Sequence, residues 1–332
     1  MPHHLVGDPV SWPRRCSRLT PLTGLVLALT ATALTGGLGH AKDNDLPPTP
    51  ESQIFYSNLT VMRLNPLGLQ NMLELDFRHR LYDPGDSLIM SQNYAAFTLA
   101  PILSPGLMRL GVAAKVQPLA ILKLEAKWEY LNYFGNFNLI QSYKSANADF
   151  SDTSIEDGGE AGLNYATDGW QLTLDAEARA RIGPIIIRNR FKAGYLEVAL
   201  KNDDTTFYEQ YFDLLLPRQG WFFTNDLDVL VQVSRNLIVG VRHAFMGVDY
   251  PDEAFLPGES RTTDSAPTHR LGPLVAYTFF DEPGESFNRP TILMLVNWYL
   301  DHRFRTGEDV SQAIPYFVLG FAFTGDLIDW RK

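Results

Sequence analysis

Trp170–Ile182 reads WQLTLDAEARARI and divides by twos without a miss. Trp170, Leu172, Leu174, Ala176, Ala178, Ala180 and Ile182 form one set; Gln171, Thr173, Asp175, Glu177, Arg179 and Arg181 form the other. Leu, Ala, Glu and Arg favour helix, but a helix gathers its apolar residues at spacings of three and four. An unbroken step of two puts one set on each face of a strand. One face is then wholly apolar and the other wholly polar. The apolar face meets either a protein core or lipid.

The same alternation recurs along the chain. Leu73, Leu75, Phe77 and Leu81 alternate with Glu74, Asp76, Arg78 and Arg80; Leu122, Leu124, Ala126, Trp128 and Tyr130 alternate with Lys123, Glu125, Lys127 and Glu129. Leu227, Val229, Val231 and Val233 alternate with polar Asp226, Asp228 and Gln232. The periodicity predicts an all-β chain with fourteen strands: 56–64, 71–82, 93–103, 106–117, 119–133, 159–167, 169–182, 185–200, 206–216, 221–234, 237–249, 270–280, 290–304 and 314–327. Tight turns are expected near Gln117, Asp168, Gly183–Pro184 and Ser234. Long polar connections are expected at 134–158 and 250–269, with a shorter one at Arg305–Gln312.

The start of the chain has a different character. Arg14, Arg15 and Arg18 precede an apolar, small-residue run that ends in Gly39-His40-Ala41. This pattern predicts an export signal over residues 1–41, cleaved before Lys42. Residues 42–53 are polar and proline-rich and read as a linker; residues 54–332 read as the folded domain. The single cysteine, Cys16, lies inside the signal, so no disulfide or thiolate chemistry is expected in the remainder. The whole chain has 28 basic and 38 acidic side chains, net −10. Removing residues 1–41 takes away three arginines and one aspartate, leaving a net charge of −12. That excess of acid argues against nucleic acid as a partner.

Several features favour lipid over a protein core. The strands are long enough for a tilted membrane crossing of ~9–11 residues, whereas globular strands average ~5–6. Aromatics crowd the strand ends at Trp128-Tyr130-Tyr133-Phe134, Trp221-Phe222-Phe223 and Tyr277-Phe279-Phe280. With the amino terminus placed in the periplasm, the long connections fall on the outer side and most tight turns on the inner side. Gly183–Pro184 is the exception, a two-residue turn left on the outer side. On these features Phe55–Lys332 resembles the bacterial outer-membrane β-barrel class, although the chain ends DLIDWRK, with Trp330 rather than a terminal aromatic. The resemblance implies an antiparallel, up-and-down transmembrane β-barrel of about 12–14 strands in the outer-membrane bilayer. It implies a pore or passive channel for small solutes, with 134–158 folding in as a constriction. A structural or adhesive barrel and an outer-membrane hydrolase are the alternatives.

No sequence motif for catalysis is found: no G-x-S-x-G, H-E-x-x-H, P-loop or dinucleotide fingerprint. No enzyme, cofactor or metal site is expected. His269 near Asp264 and Ser265 reads as a polar loop residue, and His302 as an interfacial one. Asp301 and His302 are strand neighbours on opposite faces. The acidic stretch Asp149, Asp152, Glu156, Asp157 and Glu160 lacks calcium-loop spacing and reads as a solvated loop. The informative residues are the inward ladder. With Gly183–Pro184 as the turn, Asp175 opposes Lys192 and Glu177 opposes Arg190. Arg179 then opposes Arg188 next to the outer rim, with Arg181 beyond it. Such a ladder is either a basic constriction that attracts anions or a charge network bracing the wall.

Overall fold

The computed structural model describes residues 49–306 and 314–329. The expected signal and Trp330 lie outside the described residues, as does most of Arg305–Gln312. In chain order the strands are β1 (Ser52–Leu64), β2 (Gly68–His79), β3 (Tyr94–Leu103), β4 (Leu107–Leu119) and β5 (Leu122–Phe134). Then come β6 (Ser142–Tyr143), helix α1 (Asp152–Glu160), β7 (Ala166–Ile182), β8 (Ile185–Val198), β9 (Thr206–Glu209) and β10 (Leu214–Pro217). The chain finishes with β11 (Gln219–Gln232), β12 (Leu237–Asp249), β13 (Thr268–Thr278), β14 (Asn288–Asp301) and β15 (Tyr316–Asp329). Twelve of these close a barrel in the order β1-β15-β14-β13-β12-β11-β8-β7-β5-β4-β3-β2. β1 and β15 seal it antiparallel, from Gln53 opposite Asp329 to Leu64 opposite Phe317.

The barrel is inside-out relative to a water-soluble one. On β7, Leu172 and Leu174 are 39% and 50% exposed, while Gln171, Thr173, Asp175 and Glu177 are at most 5% exposed. The same holds around the wall, where Phe97, Trp128, Val229, Val241, Met294 and Phe321 face outward. A mostly apolar exterior on a closed barrel is the surface that hydrocarbon requires, and outward polar side chains meet one another, Asn58 with Asn71, Asn189 with Asn225 and His243 with His269. Aromatic rings collect in two outward bands. Trp170, Tyr195, Trp221 and Phe223 stack along one end, with neighbouring centroids 5.2–6.5 Å apart. Tyr277 and Phe279, Phe280 and Phe287, and Tyr56 and Phe323 mark the other. Tyr133 and Phe222, expected in a band, instead point inward and are buried; their parity on the strand decides this.

Two expected strands are absent from the wall, and both corrections have local causes. The segment 159–167 divides between the end of α1 and the start of β7. The helix begins where the Ser151 hydroxyl accepts from Ser154 N, and it lies close against the preceding loop. A Cβ on Gly158 would stand 2.1 Å from the Gln141 side chain. Asp168 makes no turn, because β7 runs through it. The segment 206–216 forms β9 and β10, which pair with β6 in a separate three-stranded sheet. Every residue of β9 and β10 is buried. A run buried on both faces loses the alternation of a barrel strand.

With twelve strands the three longest described connections share one end. One end carries 80–93, 120–121, 183–184, 233–236 and 279–287, and also both termini of the barrel. The other carries 65–67, 104–106, 135–165, 199–218, 250–267 and the described residues 302–306 and 314–315. Gly183–Pro184 therefore lies at the short-turn end, and its apparent exception came from the one extra strand, 159–167, counted before it. The tight turn expected near Gln117 is the pair 120–121 at that same end. β1 starts at Ser52, inside the stretch read as linker.

Candidate functional site

The lumen is filled at its long-loop end. The hairpin β9–β10 and the loop 135–165 fold into the barrel mouth, and their apolar side chains meet the inward faces of β4, β5, β8, β11 and β12. Ile140, Phe150, Phe207, Leu214 and Leu215 from the loops form one core with Leu131, Leu196 and Phe222 from the wall. The two loops thus make a plug with a dry interior.

The hairpin tip, 209–213, reaches furthest into the lumen and is tied to three sides. Towards β4 and β5, Tyr133 donates to Glu209 Oε2 at 2.5 Å and Arg109 Nη2 donates to Glu209 Oε1 at 3.3 Å. Towards β1, Arg63 Nη1 donates to the carbonyls of Gln210 and Tyr211 at 3.3 and 3.1 Å. A Cβ on Gly68 would lie 2.6 Å from the Arg63 guanidinium, so glycine there gives this side chain room. Towards β14 and the residues after it, Asp213 is the hub. Tyr208 and Tyr299 each donate to its carboxylate at 2.9 Å, and Arg305 donates at 3.0 and 3.2 Å. His302 Nε2 donates to the Asp213 carbonyl at 2.7 Å. Arg305 also grips Asp152 of α1, at 2.7 Å through Nη2.

Burial alone raises the pKa of the Asp213 carboxyl, but His302, Arg305 and the Tyr208 hydroxyl hold it well below the usual carboxylate range. Burial pushes the His302 ring below its ordinary value, against an opposing pull from Asp213. The latch therefore joins an ionised aspartate, a permanent guanidinium and a neutral imidazole. His302 was expected to be a bland interfacial residue; it is instead 1% exposed and part of this latch. His269, expected on a loop, lies in β13, where its Nδ1 is 3.2 Å from His243 Nε2. Asp152 of the acidic stretch belongs to the latch, and the Asp149 side chain accepts from Ser151 N.

The inward ladder lies below the plug. The backbone register sets Asp175 opposite Lys192, Glu177 opposite Arg190 and Arg179 opposite Arg188. The side chains then lean diagonally. Arg190 pairs with Asp175 at 2.7 Å, not with Glu177. Arg188 reaches across to Asp228 of β11 at 2.5 Å, and Arg242 of β12 meets the same carboxylate at 2.7 Å. One aspartate thus separates two guanidiniums. Arg179 donates to the Ala120 carbonyl at 2.6 Å and stands 3.9 Å from Glu177. Arg181 donates to Gln232 at 2.8 Å. Lys192 has no hydrogen bond or ion pair within 4 Å among the described residues; it lines a cavity of about 50 Å³ with Lys127, Glu129 and Arg109. The Arg179–Arg188 rung lies at the short-turn rim. Its expected place at the outer rim fails because Gly183–Pro184 is at the opposite end from the long loops.

Sequence reasoning missed the latch residues Arg63, Asp213, Tyr299 and Arg305, and the inward Asn297. A signal existed for two of them. Arg63 follows Leu59 and Val61 on an otherwise apolar inward face, and Asp213 interrupts the run Tyr211-Phe212-Asp213-Leu214-Leu215-Leu216. A lone charge inside an apolar run needs a buried partner.

No family model and no curated protein sequence matches the chain. Among solved structures, an outer membrane channel from Pseudomonas putida F1 is similar with a TM-score of 0.41 and 12% identity, over 85% of this chain and 98% of that one. The beta domain of the Bordetella autotransporter BrkA is similar at 0.40 and 11%, over 83% and 100%. An outer membrane protein of Acinetobacter baumannii is similar at 0.35 and 11%, over 84% and 100%. Likenesses this distant carry no argument about activity. On its closed wall, apolar exterior and paired aromatic bands, the chain is an outer-membrane β-barrel protein.

Proposed function

We propose that the barrel is a non-enzymatic channel for small solutes that rests closed, with the β9–β10 hairpin as its gate. The observation that carries this reading is the way the tip is held. Polar and ionic contacts on three walls grip residues 209–213, and such contacts exchange readily for water when the hairpin lifts. The wall below supports it. Burying an ion costs several kcal/mol before pairing offsets it, and an apolar filling is often the more stable one. A barrel that had only to stay shut gains nothing from Arg188, Arg190, Asp175 and Asp228 in its lumen. Those groups suit a path that is wetted when the gate opens.

Planar-bilayer recording tests the reading. Wild-type barrel should be mostly silent, with brief openings. Asp213→Ala removes the latch hub and should raise the open fraction by more than about tenfold, the equivalent of ~1.4 kcal/mol. Replacing 206–216 by a short glycine-serine linker should give a steadily conducting barrel. If both variants fold and neither conducts more than wild type, the gate does not exist and the barrel is a closed scaffold.

A further inference from the structure

Directly beneath the hairpin tip lies a cavity of about 100 Å³, closed above by Tyr211 and Phe212. Its wall is part apolar and part polar. Val61, Leu274, Leu293, Leu295 and Val318 are the apolar part, and Arg63, Thr224, Asp226, Arg242, Arg270 and Asn297 the polar part. The two parts adjoin, since Arg270 and Leu274 share β13 and Asn297 and Leu295 share β14.

The polar wall is under-used. Asn297 is 1% exposed, and neither its amide nitrogen nor its amide oxygen has a hydrogen-bond partner. The Thr224 hydroxyl, Arg63 Nε and Arg270 Nη1 are likewise buried and unpartnered. Arg242 is engaged by Asp226 and Asp228. Arg270 has no carboxylate within 4 Å among the described residues; its guanidinium lies 4.1 Å from the Tyr316 ring centroid and 5.6 Å from that of Tyr299. A buried polar atom without a partner is costly, so several around one cavity mark a place that a polar guest completes.

The cavity also selects the guest's chemistry. Arg242 is matched by Asp226 and Asp228, but Arg63 and Arg270 have no carboxylate within 4 Å among the described residues, so the guest is an anion. Leu274, Leu293 and Leu295 border the same space, so the guest carries an apolar tail. An engineered apolar cavity of ~150 Å³ accepts benzene, so this smaller one takes a chain of only a few carbons. We infer that the cavity is a binding site for a small aliphatic carboxylate of about butyrate size. The carboxylate sits on Arg270 and the Asn297 amide, with its chain against Leu274, Leu293 and Leu295. This names the solute class of the channel proposed above and rests on that reading for its place on a path. Binding itself does not require conduction.

Equilibrium dialysis with radiolabelled butyrate tests it. The barrel is folded from denaturant into detergent micelles with butyrate present, so access past the plug does not limit occupancy. Binding should be saturable, and propionate should compete whereas butanol and butylamine should not. Arg270→Gln should weaken binding by about tenfold or more. Asn297→Leu should abolish it while raising the unfolding midpoint, because it removes an orphaned amide and fills the space. Should Arg270→Gln fail to fold, Asn297→Leu decides alone. Absence of saturable binding, or binding unchanged in Asn297→Leu, means that the cavity holds water only and overturns the inference. Conductance is scored separately. Conduction without butyrate binding removes this site and leaves the channel, whereas binding without conduction does the reverse.

Discussion

One ring nitrogen sets the condition of the latch. Phe304 N donates to His302 Nδ1 at 3.1 Å while His302 Nε2 donates to the Asp213 carbonyl. That pair of bonds fixes a neutral imidazole. A proton arriving at Nδ1 breaks the first bond and places a charge on a residue 1% exposed. The folded pKa of His302 is lowered, chiefly by burial, so its contribution is complete above the unfolded value of about 6.5. It is lost as pH falls through the lower folded value. Asp213 has the same sign, because its folded pKa is also depressed, and its share is lost further into acid. The alkaline side behaves differently. The Tyr208 pKa is raised well above its ordinary value, first by burial and then by Asp213, so its bond persists past the usual tyrosine range. The open fraction in bilayers should therefore be level between about pH 7 and 9 and climb as pH drops below about 6.5. Recordings of His302→Gln, which keeps a donor but cannot take the proton, should lose the first part of that climb. A wild-type response to acid that is identical in His302→Gln would assign the effect elsewhere.

At the scale of the element, alternation reported the wall and failed where backbone left it. β7 was legible because its two faces meet different solvents: over Trp170–Ile182 every inward place is polar, and every outward place is apolar. Arg at Leu174 puts charge into the hydrocarbon and should cost the barrel roughly 2–4 kcal/mol. Gln at Glu177 should cost no more than about 1 kcal/mol. The Glu177 Oε2 atom is already without a hydrogen-bond partner, and Arg190 is held by Asp175 at 2.7 Å. Urea titration of the two variants in lipid vesicles measures both, and equal mild losses would mean that Leu174 does not face lipid. The hairpin β9–β10 was misread for a physical reason. It sits between the loop core and the wall, so both its faces are dry and its sequence carries no period. The short turn in 183–184 was placed at the wrong end because the segment 159–167, which is the end of α1 and the start of β7, was read as a strand, and a spurious strand reverses the direction of every strand after it. The diagonal pairing of Arg190 with Asp175 was beyond sequence, because register gives the opposing backbone and not the rotamer. The orphaned atoms around Asn297 were beyond it too, since they depend on seven strands and a loop meeting at one point.

At the scale of the whole molecule, an antiparallel barrel with an even strand number returns both termini to one end, and the loops divide by end. The long-loop end holds the plug, the latch and the cavity beneath the tip. The short-turn end holds the Arg179–Arg188 rung and the turns 120–121, 183–184 and 233–236. Outer-membrane barrels keep short turns in the periplasm and long loops outside, so the plug closes the barrel from the extracellular side. In the proposed channel, a solute arriving from outside would meet the hairpin first, then the cavity, and the charge ladder last. Single cysteines test the orientation without interference from Cys16, whose place is outside the folded barrel region and which is replaced by serine for the experiment. A membrane-impermeant maleimide applied to intact cells should label Leu256→Cys, on the loop 250–267, and leave Arg235→Cys, on the turn 233–236, unlabelled until the outer membrane is permeabilised. Leu256 is 47% exposed in the structure, so access at that site is limited only by which side it occupies. Labelling of Arg235→Cys alone on intact cells would invert the barrel, and the hairpin would then gate the periplasmic mouth.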